Sequence, residues 1–399
     1  MLVPGSVRAL LIKLAASLIL LIGLCVADDF SHWSRALSWM INDRLATLAQ
    51  HFIPPPPAIR DIVLVGIDSK TVTDMKEHWP YSRATFARVL TRLSLAGARA
   101  IAMDFTFFGD TTLEEDAALR RALEGRTPVV LGASLDEAGG IVFSTVSGFP
   151  TAAHAGMVNK LQDPDGVTRR ALTYLVSTTP AMSQTPVFSW ELRLLEAVEG
   201  FPLKSLDDRG RLLVFAASER RWEVPVEAST KTFLIRFRAH SGQFARVSFH
   251  DVFTGQFDPR LIEDKIVLIG FLSELFQDIH RTPIGWLPGV TLNANAFLTL
   301  YAHDFLTPVP ALVEGLLLAF GVLGLVFLTT RLPIAHAALC LALAVFLLLG
   351  GSYALFLGGY LWNIGRSLLS FILVPSLMRW WRLRLPGKNS GLFEHHWLS

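Results

Sequence analysis

Residues 59–108, IRDIVLVGIDSKTVTDMKEHWPYSRATFARVLTRLSLAGARAIAMDFTFF, decide the fold. An apolar run, Ile62 to Ile67, leads into Asp68, and a second run ends at Asp104-Phe105. Between them Phe86, Val89, Leu90 and Leu93 recur at the spacing of one buried helical face, with Arg88, Thr91 and Arg92 opposite. Both strands are continuously apolar, as strands are when a parallel sheet is covered on both faces. The segment therefore predicts a right-handed strand-helix-strand crossover. It also predicts neighbouring strands whose carboxyl ends bring Asp68 and Asp104 to one rim, where open α/β sheets bind ligands.

Working outward, 399 residues of which 51% are hydrophobic and 18% charged point to a membrane protein with a folded part. A net charge of +2 gives no footprint for nucleic acid. The two cysteines, Cys25 and Cys340, both lie in apolar runs and supply neither a disulfide framework nor a cysteine metal site.

Residues 1–9 read as a cytoplasmic N-terminus and 10–27 as a first transmembrane helix, just long enough to cross at about 1.5 Å per residue. An uncleaved anchor is expected, with cleavage after Cys25-Val26-Ala27 as the alternative. Residues 28–57 read as a stalk helix and proline spacer. Trp33, Leu37, Met40, Ile41, Leu45 and Leu48 form an apolar stripe expected to pack on the folded domain or on a second copy. Residues 58–307 form the folded domain, its α/β core extended by hairpins, one of them around Asp163-Pro164-Asp165-Gly166.

Three further apolar segments, 311–329, 334–357 and 361–378, are expected to cross the membrane, and a short basic tail, 379–399, follows. Arg8, Lys13, Arg331 and the cluster Arg379, Arg382, Arg384 and Lys388 fall on one side if there are four crossings, with both termini cytoplasmic and residues 28–307 outside. The fold class expected is an α/β extracytoplasmic domain with a mostly parallel sheet and added hairpins, plus four transmembrane helices.

At this point the sequence resembles the CHASE domain family of type two. The carriers are Ile67-Asp68-Ser69, Trp79-Pro80 with Arg83, Gly97-Ala98 before Asp104-Phe105, Glu115-Asp116 with Leu119, and Asn159. They continue with Asp163 to Gly166 and Arg169, Phe249 with Asp251, Lys265 to Gly270, Thr282 to Gly285, Pro288-Gly289-Val290 and Asn293-Ala294-Asn295. The resemblance spans residues 28 to 380. It implies an extracytoplasmic sensory domain in a bacterial inner-membrane receptor that signals to a cyclase, kinase or other effector; with no nucleophile elbow, phosphate-cradling loop, dinucleotide fingerprint or HExxH pair in the sequence, no enzyme is expected. Only 379–399 follow the last apolar segment, so the effector is expected in a separate signalling partner.

The candidate ligand-binding residues are Asp68, Arg83, Asp104 and Asp278, for an unknown small molecule. The plainer account has Asp68 and Asp104 capping backbone NH groups, and Arg83 in an ion pair with one of them. Asn293, Asn295, Pro308, Pro310 and Arg366 are candidates for signal coupling, because the helix read over 292–305 leads through the prolines toward the membrane. Arg366 lies close enough to the outer surface to snorkel. No cofactor and no metal are expected. Beyond the bilayer and the effector, a homodimer is compatible with the stalk stripe. Two other readings stand beside the sensor: a structural subunit without a ligand, and a metal-dependent hydrolase using Asp68 and Asp104.

Overall fold

Six consecutive buried residues, Ile62–Ile67, form β1, and their side chains alternate between two covered faces in this computed structural model. The structure describes residues 5–109, 111–136, 140–176, 186–200, 205–208, 212–217 and 220–384. The chain divides into two units, Met1–Leu45 with Pro308–Ser399, and Ala46–Thr307. Helices α1 (Gly5–Ser31) and α2 (Trp33–Phe52) lead into β1.

After β1 come α3 (Ser69–Asp74), α4 (Arg83–Leu95), β2 (Ala100–Met103), α5 (Leu113–Leu123), β3 (Val129–Leu135), β4 (Ile141–Phe143), α6 (Thr151–His154) and β5 (Ala155–Met157). The middle of the unit holds β6 (Lys160–Leu161), β7 (Arg170–Leu172), β8 (Tyr174–Val176), β9 (Pro186–Phe188), α7 (Trp190–Glu199), β10 (Ser205–Asp208), β11 (Leu212–Ala217), β12 (Arg220–Pro225) and β13 (Thr232–Leu234). It closes with β14 (Ala245–Ser248), α8 (Phe249–Thr254), β15 (Ile266–Phe271), the hairpin β16 (Ile279–Thr282) and β17 (Gly285–Pro288), and α9 (Gly289–Tyr301).

The main sheet runs β14-β1-β15-β2-β3-β4, with β5 also on β3; every pairing is parallel except β3 with β4. One expectation needs correcting. Strands β1 and β2 are not neighbours, because β15 lies between them, pairing Val63 with Val267 and Val267 with Ile101. A strand-helix-strand unit fixes direction and hand but does not prevent a later strand from entering the gap.

Alternation sorts the side chains. Val63, Val65, Ile67, Ile101, Met103, Val267 and Ile269 share one core with Phe86, Val89, Leu90 and Leu93 of α4, Leu119 of α5 and Phe249 of α8. The intervening residues Ile62, Leu64, Ala102 and Leu268 are also fully buried. They lie on the face covered by α9, which is buried from Gly289 to Leu300, and by α7, whose Trp190 Nε1 donates to the Met103 carbonyl at 2.9 Å. The Asp163–Gly166 reversal is a hairpin as expected, with Gly166 at φ 76° and β6 antiparallel to β7. Arg169 holds it from within, 2.9 Å from Asp163 and 2.7 Å from Asp165.

In the other unit α1, α10 (Ala311–Arg331) and α12 (Ile364–Arg384) bury Leu21, Leu318, Val322, Val326, Val374 and Met378 together. Among the described residues three helices are long and apolar enough to cross a membrane: Leu11–Asp29, Ala311–Arg331 and α11 (Ile334–Leu357). The fourth expected segment is helical from Ile364, but Arg366 interrupts its apolar run and the helix continues past 378 through Arg379, Arg382 and Arg384. The rest of the basic tail, 385–399 with Lys388, lies outside the described residues.

The stripe expected of α2 is covered only in part, with Leu45 buried and Leu37 and Ile41 half-buried. Ser34, Ser38, Asn42, Leu45, Ala46 and Ala49 are buried, whereas Trp33, Met40 and Leu48 are exposed. The polar side of α2 is engaged as well: Ser38 Oγ donates to Asn363 Oδ1 and receives the Gly365 amide. Gly365 fits because a Cβ there would meet the Ser34 carbonyl oxygen at 2.3 Å.

Candidate functional site

Two strand-end aspartates and one helix-start arginine are accommodated in three different ways. At the end of β1, Asp68 caps α3: its Oδ1 accepts from the Thr71 amide and hydroxyl, both at 2.8 Å, and from Ser248 Oγ at 2.9 Å. This is the plainer of the two roles read for it.

Arg83, first residue of α4, is 3% exposed. Its charge is taken by Asp116 of α5, with Gly109 accepting a second guanidinium bond, rather than by Asp68 or Asp104 as expected. The Arg83 amide donates to Glu115 Oε2 at 3.1 Å. Burial raises the Asp116 pKa, but hydrogen bonds from Arg83 and Thr111 outweigh it and leave the carboxyl below its ordinary value.

Asp104, just after β2, sits in a buried polar cluster on the α9 face. The residue as a whole is half-buried, yet its Oδ2 has no exposed surface and no hydrogen-bond partner. Asn293 of α9, 3% exposed, hydrogen-bonds its carboxyl. Burial, with the Asp278 charge next, pushes the Asp104 pKa well above the ordinary carboxylate range.

Around it, Lys160 of β6 pairs with Glu191 of α7 at 2.8 Å, their side chains 4% and 0% exposed. Asp278 lies just before β16, its Oδ1 2.9 Å from His280 Nε2. Two glycines allow this closeness. A Cβ on Gly270 would meet Val290 at 2.7 Å, and one on Gly289 would meet Asp278 Oδ2 at 2.3 Å.

Of the sequence candidates, then, Asp104, Asp278 and Asn293 come together, while Asp68 and Arg83 serve α3 and α5. Asn295 is used up within the fold. Its Oδ1 accepts from the Arg238 and Ala239 amides, and its Nδ2 donates to the Ala239 and Thr291 carbonyls, all at 2.8–3.0 Å. Pro310 stands immediately before α10, and Pro308 two residues earlier. In the membrane-helix unit Arg366 Nε lies 2.9 Å from Asp28 Oδ2, and its Nη2 pairs with Asp29 Oδ1. Asp28 in turn accepts from the Ser34 amide at 2.9 Å.

Lys160 and Glu191 escaped the sequence reading. The one signal for Glu191 is an acidic residue inside the largely apolar stretch Val187 to Leu195, which also carries Arg193, and nothing local marks Lys160. On the other face of the sheet's rim, Trp79 meets Phe271, Phe105 and Phe276 edge-on, with ring centroids 4.8, 5.7 and 5.9 Å apart.

Chemically the cluster can hold a helix start by charge and hydrogen bonding. Among the described residues no group of three or more His, Cys, Asp or Glu side chains could hold a metal ion. The hydrolase reading loses its geometric premise, because β15 separates the two aspartates it pairs.

No curated protein and no solved structure matches the chain. The family model of the CHASE2 domain matches residues 15–328, which run from within α1 to within α10. CHASE2 domains are sensory domains. With most of its length matched, this chain belongs to the CHASE2 domain family.

Proposed function

We propose that this protein is a bacterial inner-membrane sensor. Its Ala46–Thr307 unit lies outside the cytoplasm, four helices cross the bilayer with both termini inside, and the signal passes to a separate effector-bearing partner. The observation that carries this reading is the rooting of α9. Its first turns are held by the cluster of Asp104, Asp278 and Asn293, and ten residues after it ends the chain enters α10.

A small molecule or partner that binds one arrangement of this cluster better than another would shift α9 and, through Pro308 and Pro310, bias the membrane helices. The Arg366 pairing with Asp28 and Asp29, which joins α12 to the end of α1, is the second element such a shift would work against.

Affinity purification of the full-length protein from its native membrane in mild detergent, with mass spectrometry of the co-purified proteins, tests the reading. A stoichiometric partner bearing a cyclase, kinase or transcription-regulating domain is the expected result. A partner set without any effector domain favours a structural subunit instead.

A further inference from the structure

The contact between Asp104 and Asn293 is short of one hydrogen. The Asn293 side chain bonds the Asp104 carboxyl, yet Asp104 Oδ2 and Asn293 Oδ1 are both buried without a partner. An ionised carboxylate and an amide oxygen are both acceptors, so neither can satisfy the other. A proton on Oδ2 changes both at once. The acid hydroxyl then donates to the amide oxygen while the amide NH₂ donates to the other carboxyl oxygen, closing a ring of two hydrogen bonds.

We propose that Asp104 is a proton-binding site: a neutral acid, ring-paired with Asn293, that fastens the first turns of α9 to the end of β2. This goes beyond the sensor reading and does not depend on it. The groups facing the site favour the neutral form on balance. Asp278, from the segment before β16, and Glu191, from α7, oppose a charge on Asp104, while Lys160 of β6 favours one; His280 of β16 is engaged with Asp278.

The proton also makes stability depend on pH in a fixed direction. The folded pKa of Asp104 lies above its unfolded value. Its contribution is therefore fully present below the unfolded pKa and lost as pH rises through the folded one.

Infrared spectroscopy of the full chain in detergent, with aspartate carboxyls ¹³C-labelled, tests the site at pH about 6, roughly two units above the ordinary aspartate value. The wild type should show one protonated-carboxyl stretch, and Asp104→Asn should lose it. No such stretch in the wild type, or one that survives in Asp104→Asn, overturns the proposal. Should that variant not fold, the wild type alone decides. The stretch and the melting temperature must fall together as pH is raised, and a stretch that fades with no change in melting temperature contradicts the fastening role.

Discussion

A buried charge is costly unless paired, and Arg83 with Asp116, at 3% and 4% side-chain exposure, is the clearest case in this domain. Arg83→Ala leaves Asp116 uncompensated and should cost about 3–5 kcal/mol, read as a lower denaturant midpoint. Replacing both partners by apolar residues, Arg83→Met with Asp116→Leu, should recover most of that loss. The pair also has a pH signature. Because the folded Asp116 pKa is depressed, its stabilisation is present above the unfolded value and lost as pH falls through the folded one. The midpoint gap between wild type and Asp116→Asn should therefore shrink on acidification, opposite in sign to the behaviour of Asp104. The sequence made Asp68, Arg83 and Asp104 visible as charges beside apolar strands, and it offered capping as the plainer role of Asp68. It could not assign Arg83 to Asp116, since a partner 33 residues away is chosen by how α4 packs on α5.

Among the elements, α9 matters most to the account. It is buried nearly all round, so the amphipathic signal that marks α4 is missing, and the sequence placed its start three residues late. Asn295 ties it to residues 238 and 239 by three of its four hydrogen bonds. Asn295→Ala should strand buried backbone groups at roughly 1–3 kcal/mol apiece, and hydrogen exchange at the Arg238 and Ala239 amides should speed up accordingly. Exchange unchanged there would mean that this segment is held by other contacts. Helix α4 and strands β1, β2 and β15 were legible from periodicity and apolar runs, whereas the insertion of β15 between β1 and β2 was not. Strand order is a non-local choice, and local pattern carries no information about it. For α2 the apolar stripe was legible, but the contacts of its polar side, Ser38 with Asn363 and the close fit at Gly365, were not, since they join residues more than 300 positions apart.

For the whole molecule, apolar length identified α1, α10 and α11, and the same criterion falls short for α12 because of its arginines. The sensor reading depends on sidedness: the Ala46–Thr307 unit outside, the basic tail inside, and hence an odd number of crossings between them. The direct measurement uses the full chain with Cys25→Ser and Cys340→Ser, carrying a single new cysteine at Leu95, an 82% exposed position of the folded unit, or at Lys388 in the tail. Cells are treated with a membrane-impermeant maleimide before and after permeabilisation. The account predicts that Leu95→Cys is labelled in cells with the inner membrane intact and Lys388→Cys only once that membrane is opened. Labelling of Leu95→Cys only after opening, or of both positions from the same side, would contradict it.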